Sequence, residues 1–84
     1  MVYNKFMKKN NNLITLGQQI KNKRIKLKWS QEKLAFESGI DRSYIGGVER
    51  GERNLSILKL CKIANALSVT VSFLTKKFKS NRDN

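Results

Sequence analysis

Between Ser30 and Gly51, two short helix-forming stretches are separated only by Gly39-Ile40-Asp41. So tight a connection, with a glycine to supply a positive φ, forces the two helices to cross steeply, the geometry of a helix-turn-helix. The apolar positions agree: Leu34 and Ala35 face inward from the first stretch, Ile40 plugs the corner, and Ile45 and Val48 are the inward pair of the second. Ala35 is small where the second helix must come close. What remains outward on that helix is Arg42, Ser43, Gly46, Gly47 and Arg50, which at helical spacing form one face.

The rest of the chain reads as helix too. It contains no Pro, and its apolar residues recur at three and four over most of its length. An all-α bundle of five helices follows. The first runs from about Leu13 to Lys28 with Leu16, Ile20, Arg24 and Leu27 on one face, Arg24 being the anomaly on an apolar stripe. Ser30 caps a second helix that ends at Gly39, and Asp41 caps a third from Arg42 to Arg50, stopped by Gly51. Ser56 caps a fourth, Ile57 to Leu67, and Thr70 a fifth, Val71 to Phe78. Residues 13–78 form one domain, and 1–12 and 79–84 are flexible polar tails with too little apolar content to pack.

Charge narrows the function. The 84 residues carry a formal +12, the balance of a protein that lives beside a polyanion. Residues 30–55, which hold the crossing helices, carry only −1, while residues 13–29 carry +5 and the two ends +3 each. The ends are either solvated or act as basic arms on nucleic acid. Catalysis is disfavoured: there is no His, no paired carboxylate, no metal-ligand cluster and no phosphate loop, and Gly46-Gly47 is no nucleotide fingerprint. No cofactor or metal is expected. The single cysteine, Cys61, excludes an internal disulfide and reads as a small buried hydrophobe. No apolar run exceeds three residues, as in Leu34-Ala35-Phe36, too short for a signal peptide or a membrane span, so a cytoplasmic protein without membrane contact is expected.

Residues of the crossing helices resemble the Cro and phage-repressor type of helix-turn-helix regulators, the XRE family. Gln31, Leu34-Ala35, Gly39, Ile40, Ile45, Val48, Glu49 and Gly51 stand where that pattern has its Gln, its apolar-Ala pair, its turn Gly and its buried positions. Lys23-Arg24-Ile25 and residues 27–30 look like the family's first helix and its exit, so that the resemblance covers about Leu13 to Leu74. Asp41 to Ser56 is particularly similar to controller proteins of restriction–modification systems. Ser38 departs from the pattern in a slot more often apolar, and its hydroxyl can bond back to the helix. Gly46-Gly47 is stranger, since two glycines in a helix interior cost about 1 kcal/mol each. Either the backbone there approaches DNA closely or the turn is loosely wound.

The resemblance implies that the third helix enters the major groove with its N-terminal residues on base edges. Arg42, Ser43, Tyr44 and Gly47 become the base-reading candidates, Arg42 foremost because a guanidinium donates two parallel bonds to guanine. Tyr44 can instead reach a phosphate or simply pack on the domain. Gln31, Gly46, Arg50, Arg53 and Asn54 become phosphate contacts, Gln31 at a helix N-terminus that favours an anion. The same resemblance pairs Arg24 with Glu49 as a structural ion pair between the first and third helices.

The last two helices hold more apolar residues than one core stripe needs: Ile57, Leu58, Leu60, Cys61, Ile63, Ala64 and Leu67, then Val71, Phe73, Leu74 and Phe78. Some of them face a second copy, as phage-type regulators do. The expected partners are therefore a double-stranded, pseudo-palindromic DNA operator and a second copy of the chain, with RNA polymerase as a further candidate. A phage-type or general repressor and an antitoxin-like DNA-binding partner protein are the alternatives within the fold. Outside it, a basic helix binding membrane or RNA explains the charge but not the spacing around Gly39.

Overall fold

A computed structural model describes residues 10–80, and the expectations for residues 1–9 and 81–84 lie outside it. Five helices follow in order: α1 Asn11–Lys26, α2 Gln31–Ser38, α3 Arg42–Glu49, α4 Ile57–Ala66 and α5 Val71–Thr75, with no strand among the described residues. The hydroxyls of Ser30, Ser56 and Thr70 and the carboxylate of Asp41 cap α2, α4, α5 and α3 as the sequence suggests, each accepting from backbone N–H groups of its first turn.

At the edges of the described residues, ordered structure reaches into the segments expected to be tails. The Asn10 side chain caps α1, accepting from the N–H groups of Asn12 (2.8 Å) and Leu13 (3.3 Å), so the helix starts inside the segment expected to be flexible. At the other end α5 closes at Thr75 rather than Phe78, and the chain tightens into a turn in which Phe78 N–H donates to the Thr75 carbonyl. Lys79 then exchanges two 3.0 Å bonds with the Asn12 side chain, its N–H donating to Oδ1 and its carbonyl accepting from Nδ2. An amide side chain can satisfy two backbone groups at once, which apolar counting does not detect.

The four longer helices stop alike, with one residue in the left-handed region: Lys28, Gly39, Gly51 and Ser68, at φ 61, 69, 76 and 59. The residue after each donates back into the last turn, as Trp29 N–H does to Arg24 O, Ile40 to Ala35, Glu52 to Gly47 and Val69 to Ala64. The two glycines are visible stop signals. Lys28 and Ser68 are not, and α1 ends two residues before the expected Lys28.

The core consists of Leu16 and Ile20 from α1, Leu34 from α2, Ile40 from the turn, Ile45 and Val48 from α3, and Leu60, Ile63, Ala64, Leu67 and Leu74 from the C-terminal part. Full burial of one such aliphatic side chain is worth about 1.5–3 kcal/mol. Ala35 is partly buried against this core, and a close backbone approach is made at Gly17. A Cβ at Gly17 of α1 would stand 2.3 Å from the Val48 carbonyl oxygen and 2.8 Å from that of Glu49, so α1 and α3 meet backbone to backbone. Ser38 is buried and its hydroxyl donates to Ala35 O at 3.3 Å. Cys61 is half-buried, not buried, because it flanks the inward stripe of α4.

Candidate nucleic-acid interface

The outward N-terminal end of α3 is held by its own cap. Asp41 accepts from the N–H groups of Ser43 (3.0 Å) and Tyr44 (3.3 Å) and from the Ser43 hydroxyl. The Ser43 hydroxyl bond, then the Tyr44 N–H, holds the Asp41 carboxyl below the usual aspartate range. Arg42 and Ser43 themselves are exposed.

Behind them runs a continuous chain of polar contacts into the core. Arg24 Nε donates to Glu49 Oε2 at 2.6 Å and Nη2 to Oε1 at 2.9 Å, a two-bond pair whose side chains are only 11% and 3% exposed. Arg24 Nη1 also donates to the Trp29 carbonyl at 2.7 Å. The ion pair inferred from the family likeness is present, and it explains the charged residue on the apolar stripe of α1. Its bond to Glu49 raises the Arg24 pKa further, against the opposing effect of burial. Gln31 extends the chain: its Nε2 donates to Glu49 Oε1 and its Oε1 accepts from Arg42 Nη1, both at 3.0 Å. Each end of the Gln31 amide thus makes a bond within the protein, and through it the exposed Arg42 guanidinium is linked to Glu49.

Gly46 and Gly47 point away from the core, yet both are buried. A Cβ on Gly46 would lie 3.2 Å from Arg50 Nη1 and 3.6 Å from Gln31 Oε1, and one on Gly47 would lie 3.1 Å from Arg53 Cγ and Nε. The long side chains of Gln31, Arg50 and Arg53 therefore lie down over the bare helix. α3 is regular through both glycines, so a loosely wound turn is not what they provide. The space the two glycines leave is occupied by overlying polar side chains, an arrangement that neither sequence alternative included.

Tyr44 packs on the domain, as one of its sequence readings had it. It is half-buried against the core, while Lys59 Nζ lies 4.0 Å and the Arg53 guanidinium 5.0 Å from its ring centroid. Lys59 was not among the sequence candidates, because nothing local to α4 shows that its side chain reaches a ring on α3. Arg50 Nε also meets Glu52 Oε1 at 3.1 Å, and Asn54 is exposed in the connection to α4. The structure thus gathers Gln31, Arg42, Gly46 and Arg50 into one cluster and Tyr44, Gly47 and Arg53 into a second beside it. Ser43 is tied to Asp41, and Asn54 joins neither cluster.

Comparisons with known proteins identify the family and the fold. The helix-turn-helix family model HTH_3 matches residues 20–74. Control protein C.BamHI of Bacillus amyloliquefaciens is 46% identical over 61 residues, which span 71% of this chain and 75% of that protein. Control protein C.SmaI of Serratia marcescens is 52% identical over 42 residues, half of each chain. Among solved structures, the restriction–modification controller protein C.AhdI from Aeromonas hydrophila superposes with a TM-score of 0.75 at 46% identity, covering 77% of this chain and 98% of its own.

The chain belongs to the helix-turn-helix family, a family of DNA-binding transcription regulators and not of enzymes, and within it its relatives include restriction–modification controller proteins. A structure of the regulator SinR in complex with DNA is also similar, with a TM-score of 0.67 at 37% identity over 70% of this chain and 95% of that one. No helix among the described residues is long and apolar enough to cross a membrane.

Proposed function

We propose that this protein is a controller-type regulator that binds a pseudo-palindromic operator as a homodimer, laying α3 in the major groove of each half-site. The observation that carries the reading is the pinned Arg42. With Nη1 held by Gln31, the guanidinium keeps its remaining N–H groups for a purine edge, and a bidentate bond to guanine O6 and N7 discriminates by about 1–3 kcal/mol. Ser43 and the Tyr44 hydroxyl act beside it, and Gly47 lets Arg53 lie close to the helix. The phosphate contacts fall to Arg50, Arg53 and Asn54, to the Gly46 backbone once Arg50 moves aside, and to Gln31 together with the N-terminus of α2.

Dimerisation has its own support. Ile57 and Leu58, at the start of α4, are 70% and 74% exposed, although the core takes Leu60, Ile63, Ala64 and Leu67 from the same helix. A two-fold partner across that end of α4 places two α3 helices about 34 Å apart on one face of the duplex. Operator occupancy then controls transcription, with RNA polymerase as the partner of the bound dimer.

Selection from a randomised duplex library tests the proposal. The expected product is a two-fold symmetric sequence, bound at least about 10³-fold more tightly than random duplex at equal salt. Recovery of unrelated sequences, or a monomer mass in light scattering together with a footprint of one half-site, overturns it.

A further inference from the structure

On the side of α1 turned from the recognition helix, α1 and α5 enclose an open groove of about 690 Å³. Its apolar surface comes from Ile25 and Phe73, its rim from Lys23, Lys26, Lys76 and Lys77, and no acidic residue among the described residues lines it. Lys76 Nζ sits 4.3 Å from the Phe73 ring centroid, so cation and apolar surface are interleaved. The orientation follows from the helix repeat. Gly17 and Arg24 mark the side of α1 that meets α3, and Lys26, nine residues beyond Gly17, lies about two and a half turns on, on the opposite side. DNA seated on α3 leaves the groove open.

The chemistry of the groove selects its occupant. Phosphates use the lysines but gain nothing from an exposed aromatic ring and isoleucine. A second copy meeting the groove across a two-fold axis brings the same four lysines and is repelled at short range. An acidic polypeptide segment bearing an aromatic or branched aliphatic residue satisfies both surfaces, carboxylates on the rim and the apolar side chain between Ile25 and Phe73. We propose that the α1–α5 groove docks an acidic, apolar-bearing segment of a partner protein while α3 is on DNA.

The test uses the full chain and a short fluorescein-labelled peptide of Asp and Glu carrying one Phe and one Leu, followed by anisotropy. Binding is expected in the micromolar range. Lys26→Gln with Lys76→Gln should weaken it about tenfold, whereas the charge-matched pair Lys21→Gln with Lys62→Gln, outside the groove, should cost less than about twofold. Ile25→Ser, at an exposed position and without any change of charge, should weaken the peptide several-fold and leave affinity for a mixed-sequence duplex unchanged. Equal losses from the two lysine pairs, equal binding of an all-acidic peptide lacking Phe and Leu, or displacement of the peptide by the duplex each overturn the proposal, the last by making the groove a nucleic-acid surface. None of these readouts requires an operator, so the outcome is independent of whether α3 reads sequence.

Discussion

Removing the Glu49 carboxylate should cost this domain much of its stability. The Glu49→Ala variant loses both bonds to Arg24 and the bond from Gln31, and leaves a guanidinium 11% exposed with the Trp29 carbonyl as its remaining partner shown. Breaking a buried pair from one side costs about 3–5 kcal/mol, and because Trp29 O and the exposed edge of Arg24 soften the loss, the lower end, about 3 kcal/mol, applies. In a domain of this size each kcal/mol moves the midpoint by about 4–8 °C, so Tm should fall by roughly 12–24 °C by calorimetry or circular dichroism. Replacing both partners, Arg24→Met with Glu49→Leu, should recover at least half of the loss, because no uncompensated charge then remains. The double variant should keep its fold but lose sequence preference, since Gln31 no longer has its anchor for holding Arg42. A Glu49→Ala protein melting within 2 °C of the parent, or a double variant less stable than the single, refutes the reasoning.

Other positions give sharper contrasts. Gly17→Ala forces a methyl against two α3 carbonyls and should destabilise by about 3 kcal/mol, while Gly39→Ala, with open space around it but φ +69, should cost only about 1–2 kcal/mol; denaturant melts of the two variants measure the gap. Gly47→Ala meets only the exposed Arg53 side chain, so stability should hold or rise by up to about 1 kcal/mol as helix propensity improves, while DNA affinity falls because Arg53 is lifted. The Asp41 carboxyl has a lowered folded pKa, so its contribution is complete above the ordinary aspartate range and is lost as pH falls through the folded value. Asp41→Asn should therefore flatten that part of the acid limb of stability against pH, and an unchanged limb contradicts the cap's role.

The sequence made the helices legible because their signals are local. Gly39 and Gly51 announce left-handed stops, four of the five caps are Ser, Thr or Asp just before a periodic run, and the i, i+3, i+4 stripes name most of the core. What stayed hidden is what depends on long side chains crossing between elements. Gln31, read as a phosphate contact, also joins Glu49 to Arg42; Lys59 lies over Tyr44 from another helix; Arg50 and Arg53 fold back over the two glycines. Lys28 and Ser68 take left-handed conformations that composition does not flag, and an amide at Asn12 ties down Lys79 across the whole chain. Phe36, 80% exposed on α2, has no explanation in the described structure.

The central claim is that α3 reads sequence through a guanidinium held in place from the core. Its most direct test is the ratio of operator to random-duplex affinity, measured at one salt concentration, for the parent and Arg42→Ala. The parent ratio should be about 10³ or more and should collapse in the variant with little change in random-duplex affinity, whereas Arg53→Ala should weaken both duplexes and flatten the salt slope. A parent protein that binds every duplex equally, or an Arg42→Ala variant that keeps the full ratio, contradicts it.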